Sequence, residues 1–273
     1  MQNINKNNTL NPSYFKMADK IEQKNMGKSE DKAIAFIDYA NMKAWARDKR
    51  LSVDMEVLIE MLNSVGIKEV RFYYGKDEKN SKIDSFFFKM SKLGYVVITK
   101  SVQYFKIALS ELLEKEANIR WLNSISQLVR EGLKTEAKLL DEKGIELFAP
   151  KANFDVEISV DALMMKDMYK NFILFSGDGD FAHLIKALKQ NFKKVIVVSG
   201  RKSLSGRLFE EADKFVTMEK IASITPEILL NQNQERRWSD INAKPALRQV
   251  LKKCSPSIAS LLGLSSGGVD KKL

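Results

Sequence analysis

The run Ser176-Gly177-Asp178-Gly179-Asp180 sets two carboxylates on alternate residues, each preceded by a glycine. Carboxylates this close repel one another unless a proton or a cation offsets the charge. A hard divalent cation, Mg²⁺ or Mn²⁺, suits such a site because it prefers oxygen ligands and keeps several of its waters. A third acid, Asp38, ends the apolar run Ala33-Ile34-Ala35-Phe36-Ile37, which reads as a buried strand. Asp178 and Asp180 stand just past the similar run Phe172–Phe175. Ligands of open parallel sheets sit at the carboxyl ends of strands where the strand order reverses. If these two strands are neighbours, three acids meet at one sheet edge. Gly177 and Gly179 then serve tight backbone geometry, and Ser176 can hydrogen-bond a ligating carboxylate or a water. A lone Asp-Gly-Asp would read as a turn in which Asp180 caps the next helix; the placement of Asp38 favours the metal reading. Asn41, three residues on, is suited to holding a water or a phosphate oxygen without adding charge.

A helix expected over 155–169 brings two more acids. Asp155 reads either as a ligand or as the helix N-cap. Asp161 lies in an otherwise apolar stretch and needs a partner if buried. The two do not share a helical face unless Asp155 lies outside the helix, and Glu157 is a weaker candidate beside them. Which of Asp155 and Asp161 touches metal stays open on spacing alone.

Composition narrows the chemistry. The 273-residue chain has one Cys, Cys254, and one His, His183. That excludes an intrachain disulfide framework and, within one subunit, histidine-pair acid–base catalysis, and nearly excludes a structural zinc site, which wants four N/S ligands. His183 reads as ordinary packing or a surface residue. No apolar run is long enough to span a membrane, and residues 1–31 form a polar leader without a secretory core, so a cytoplasmic address is expected. The net charge of +10 points to a polyanion. Between Phe181 and Phe209 there is no acid, yet Lys186, Lys189, Lys193, Lys194, Arg201, Lys202 and Arg207 all occur. Such a basic flank beside an acidic centre suits a phosphate backbone approaching metal. Lys43 and Arg47 border the same edge, and Tyr39 or Trp45 is available to stack on a base, although Trp45 reads equally as core.

The elements that must position these groups alternate. Strands are expected at 33–38, 70–74, 95–99, 145–148, 172–175, 194–198 and 215–218, with helices between them, which implies a doubly wound, mainly parallel α/β sheet. From 101 to 143 no strand signal is read. Val102, Phe105, Leu109 and Leu112, then Leu122, Ile125, Val129 and Leu133, recur at helical steps, and the charges of the segment balance. This predicts an inserted helical hairpin serving as a packing surface, lid, clamp or homodimer contact. The domain is expected over 32–224, followed by a mobile basic tail over 225–273 with one short helix.

At these residues the chain resembles the NYN domain, the LabA-like branch of the PIN-like nucleases. The resemblance rests on Phe36-Ile37-Asp38-Tyr39-Ala40-Asn41, on Phe154-Asp155-Val156-Glu157 with Val160-Asp161-Ala162-Leu163, and on Ser176-Gly177-Asp178-Gly179-Asp180-Phe181. Val195–Ser199, Ser203-Leu204-Ser205 and Ala212-Asp213-Lys214-Phe215 extend it. It implies a PIN-like fold and a metal-dependent ribonuclease using Mg²⁺ or Mn²⁺. Asp38, Asp155 or Asp161, Asp178 and Asp180 would be the metal-binding acids, with Asn41 assisting and RNA as partner. Where relatives often carry Lys-Gly before the second block, this chain has Lys151-Ala152-Asn153. The alternatives are a catalytically weak RNA-binding regulator and a structure-specific DNA nuclease. A haloacid-dehalogenase phosphatase would want Asp-x-Asp after the first strand, where position 40 is Ala.

Overall fold

A computed structural model describes residues 32–47, 51–114, 126–145, 147–231 and 244–264. The expected leader therefore lies outside the described residues. Six strands form one sheet: β1 (Ala33–Asp38), β3 (Glu69–Tyr73), β4 (Val96–Ile98), β7 (Asn171–Phe175), β8 (Lys194–Ser199) and β9 (Lys214–Thr217). Their order is β4-β3-β1-β7-β8-β9, and every pairing is parallel. From β1 the chain winds outward one way through β3 and β4; from β7 it winds the other way through β8 and β9. The order therefore reverses between β1 and β7, the two strands whose ends carry Asp38 and the Ser-Gly-Asp-Gly-Asp run.

Both faces of the sheet are covered, which is why β1 and β7 carry unbroken apolar runs, Ala33–Ile37 and Phe172–Phe175, rather than alternating. On one face Ile37, Phe72, Phe175 and Val198 pack against α1 (Tyr39–Arg47) and α2 (Met55–Ser64). Asp54 caps α2, accepting from the backbone N–H groups of Glu56 and Val57. On the other face Phe36, Tyr73, Leu174 and Val197 pack against α6 (Asp155–Met164) and α7 (Ala182–Gln190). α3 (Ile83–Leu93), α8 (Gly206–Glu211) and α9 (Met218–Ile224) complete the layers.

Two expectations are corrected. The segment 101–143 is not wholly helical: β5 (Gln103–Ile107) pairs antiparallel with β6 (Leu147–Lys151), and the ribbon carries α4 (Leu109–Glu114) and α5 (Gln127–Glu142). The strand expected at 145–148 is thus β6, in this ribbon and not in the main sheet. β5 escapes detection because Phe105 is about half exposed, so no buried face imposes alternation on the strand. The tail also holds more order than one short helix. α10 (Lys244–Leu262) runs for 19 residues and lays Leu247, Leu251, Ile258 and Leu262 into the core beside α2. The Ser255 hydroxyl donates to the Ser64 carbonyl, 2.7 Å, at the end of α2. β10 (Leu229–Asn231) pairs with β2 (Leu51–Val53). Among the described residues no helix is long and apolar enough to cross a membrane.

Candidate metal centre

Strand pairing sets the frame. Ile37 lies opposite Phe175 and Asp38 opposite Tyr73, so Asp38 and Ser176 leave adjacent strands at the same level. Ser176 is fully buried and joins two acids. Its hydroxyl donates to Asp38 Oδ2 at 3.3 Å and accepts from the Asp178 N–H at 3.2 Å. Asp38 Oδ1 accepts from the Asn41 N–H at 3.2 Å. Asp178 then caps the short turn Gly179–Phe181, accepting from the Asp180 N–H at 3.1 Å; Asp178, not Asp180, is the capping residue.

The side-chain carbonyl oxygen of Asn41 is turned to the fold. Oδ1 accepts from the Gly177 N–H at 3.0 Å and from the Trp45 indole at 2.9 Å. Asn41 thus ties α1 to the acidic loop, and Trp45 is core, only 9% exposed. The glycines matter for room rather than for backbone angle, since neither Gly177 nor Gly179 has positive φ. A Cβ on Gly177 would stand 2.1 Å from the Ser203 carbonyl oxygen, and one on Gly179 would stand 2.4 Å from Ser205 Oγ. The 200–205 loop presses on the acidic loop, and the Ser205 N–H donates to the Gly177 carbonyl at 3.0 Å.

Asp155, Asp178 and Asp180 each offer a carboxylate oxygen within 4.8 Å of the others, and Asp180 is the most exposed of the three. Asp155 opens α6 and is held by its neighbour. The Asn153 side chain accepts from the Asp155 N–H at 2.9 Å and donates to its carboxylate at 2.7 Å. The departure at Lys151-Ala152 is absorbed locally: the Ala152 methyl fills the space a Cβ on Gly75 would need, 2.6 Å away. Asp38 stands beside this trio rather than within it. Burial pushes its carboxyl up to about 6, the Asn41 and Ser176 hydrogen bonds work against this, and the charges of Asp155 and Asp178 push it further up. Burial raises Asp155 as well; its bond from Asn153 opposes, Asp178 and Asp180 reinforce, and Lys100 opposes.

Asp161 lies apart from the trio. Its Oδ2 takes Arg71 at 2.9 Å and the Tyr73 hydroxyl at 2.7 Å, which ties α6 to β3. Of the pair left open by spacing, Asp155 alone joins the carboxylate group. Among the expected basic contacts, Lys43, Lys186, Arg201 and Lys202 are exposed. Lys189 is committed to the fold, donating to the Glu211 carbonyl at 2.8 Å with Asp213 at 3.5 Å. The Arg47 side chain lies outside the described residues. Sequence reading missed Asn153 and Lys100. An Asn whose side chain accepts from the backbone two residues on forms an Asx turn, a signal that a loop asparagine offers in sequence. Lys100 carries no such signal; only the fold brings its ammonium to Glu157, 2.6 Å, and over the Phe154 ring, 4.7 Å from its centroid.

The donor set fits a hard divalent cation. Three carboxylates converge, and the Lys100 ammonium that opposes proton uptake at Asp155 is itself paired with Glu157.

The chain is similar to known proteins. The family model described as the NYN domain matches residues 32–219. The low amplitude and bright protein LabA of Synechococcus elongatus is 31% identical over 100 residues, covering 35% of this chain and 54% of that protein. The chain thus matches about half the length of that relative. A crystal structure of a Vibrio parahaemolyticus protein of unknown function aligns at a TM-score of 0.49 and 19% identity, over 76% of this chain and 100% of the other.

Proposed function

The chain belongs to the NYN-domain family, and we propose that its carboxylate centre is that of a metal-dependent ribonuclease. The observation that carries the proposal is the approach of Asp155, Asp178 and Asp180 within 4.8 Å at the point where the strand order reverses. Asp155, Asp178 and Asp180 would hold Mg²⁺ or Mn²⁺, with Asp38 beside them. Such an ion supplies Lewis acidity, lowering the pKa of water and neutralising phosphate charge.

The protein's own part is preorganisation. Ser176 and the Asn41 N–H fix both Asp38 oxygens, and Asn153 fixes Asp155, so these two acids are held in place before substrate arrives. Burial holds the Asp38 carboxyl at about 6 without metal, and a cation among the neighbouring acids would lower it and favour the carboxylate. Arg201 and Lys202, in the loop packed on Gly177, are exposed where a phosphate backbone would cross, and Lys43 flanks the other side; such contacts position a strand without reading its sequence.

The test is cleavage of labelled RNA and DNA by wild type and Asp178→Asn with Mn²⁺, Mg²⁺ or EDTA. We expect RNA cleavage that EDTA abolishes and that falls about a thousandfold in the variant, about 4 kcal/mol in the barrier. Tight RNA binding without cleavage under every metal would replace this reading with a regulatory one. Cleavage of DNA alone would make the chain a DNA nuclease.

A further inference from the structure

Helix α7 closes on a strained residue. The Phe192 N–H donates to the Lys189 carbonyl at 2.9 Å and the Lys193 N–H to the Leu188 carbonyl at 3.1 Å. That closure sets residue 192 in the left-handed region, φ 58°. The ends of α2, α3, α5 and α10 use glycine for the same purpose, at Gly66, Gly94, Gly144 and Gly263. Among the described residues Phe192 is the only non-glycine with positive φ. Its Cβ is strained there, and the ring recovers nothing by packing, because Phe192 is 91% exposed. Strain with no return inside the fold points to work for the ring outside it.

Phe192 stands at the amino ends of the strands, opposite the acidic edge. The Lys170 N–H donates to the Lys32 carbonyl at 3.1 Å, and the Lys194 N–H to the Lys170 carbonyl at 2.9 Å, so lysines enter β1, β7 and β8 side by side. Lys32, Lys170 and Lys193 lie one residue before the register partners Ala33, Asn171 and Lys194. They are therefore level with one another, on the side of Ile34, Phe172 and Val195, and span roughly 10 Å across three strands. Lys194 and Lys214 take the other side, where they donate to the Gly263 and Ser260 carbonyls at 2.6 and 2.9 Å. The acids of this edge are already engaged: Glu69 with Arg71 and Tyr169, Asp167 with Lys166, and Asp213 with Lys189 and the Val195 N–H. Among the described residues no acid pairs with Lys32, Lys170 or Lys193.

We propose that this edge binds a single strand of nucleic acid, with phosphates on Lys32, Lys170 and Lys193 and a base stacked on Phe192. A row of ammonium groups holds a phosphate backbone whatever its sequence, and an exposed ring beside the row gives an unpaired base a platform. An anionic membrane would also meet the lysines, but a lone ring offers it little apolar surface. Six residues of extended chain separate Lys170 from Ser176, roughly 20 Å. A strand held here leaves the carboxylates open, so binding needs neither metal nor cleavage and stands apart from the ribonuclease reading.

The test is fluorescence anisotropy of labelled oligouridylate and oligothymidylate with the full chain in EDTA, over a series of salt concentrations. Phosphatidylserine vesicles form a parallel arm. Phe192→Gly should weaken binding about tenfold while its melting temperature stays level or rises, because glycine suits the left-handed backbone. A ring needed only for the fold would not separate the two readouts. Phe192→Trp should bind as wild type does. Lys32→Gln, Lys170→Gln and Lys193→Gln together should flatten the slope of log K against log salt by about 2. Loss on either oligonucleotide supports the site, and the one affected tells RNA from DNA. No binding by wild type, unchanged affinity in Phe192→Gly, or binding to vesicles alone would each overturn the proposal.

Discussion

The acidic edge and the arm built from β5, α4, α5 and β6 use the same kinds of residue to opposite ends. At the edge, Gly177 has a carbonyl oxygen where a methyl would go, and Ser176 and Asn41 are each hydrogen-bonded to two groups. In the arm, Gly132 has nothing within 4 Å, and leucines of α5 face solvent. One region is fully determined by the chain's own contacts. The other is determined only on the side that faces α4.

That contrast is open to direct attack. Gly177→Ala should be the most damaging of these changes, costing about 3 kcal/mol by forcing the 200–205 loop off the acidic loop. The check is a denaturation curve together with Mn²⁺ affinity, and a wild-type affinity would show that the loops are not interlocked. Asp161→Asn should come next, at roughly 2 kcal/mol. It weakens the pairing of an Arg71 side chain only 13% exposed, while leaving Mn²⁺ affinity within about twofold. A large loss of affinity would return Asp161 to the ligand set.

Asp38→Asn should act with the opposite sign. The raised carboxyl of Asp38 means that the folded, metal-free protein holds its proton more tightly than the unfolded chain. Stability therefore falls as pH rises from about 3.8 to about 6 and stays at the lower level above that. Asparagine removes this penalty, so at pH 7 without metal the variant should be more stable, on the order of 2 kcal/mol, and near pH 4 little different. Equal stability at both pH values would remove the strain from the edge. The smallest effect belongs to the arm. Gly132→Ala should raise stability by about 1 kcal/mol in a denaturation curve, because a helical glycine in open space gains only from a Cβ. A loss there would reveal packing on a side the structure leaves bare.

What the sequence could and could not reveal follows the same division. Asp38 and the Ser-Gly-Asp-Gly-Asp run were legible because strands buried on both faces are unbroken apolar runs, and the acids end them. Asp155 and Asp161 could not be separated by spacing. Only the pairing of β3 with β1 shows that Arg71 and Tyr73 stand where Asp161 arrives. Asn41 was placed at the edge, but its bond to Gly177 was not legible, since that partner lies 136 residues away. β5 was illegible because neither face of a two-stranded ribbon need be buried. α10 was legible in part: Leu247, Leu251, Ile258 and Leu262 keep a helical beat, and Pro256 among lysines and serines obscured it.

The bond from Asn41 to Gly177 also has a consequence for synthesis. Asp38 leaves the ribosome early, but Ser176 and Asn153, which hold the acids, and the 200–205 loop, which clamps them, emerge only in the later part of translation. A nascent chain therefore carries a set of carboxylates that have not yet met. The centre is assembled once, late, when the second half of the sheet docks on the first, so a chain interrupted before that loop would be made without it.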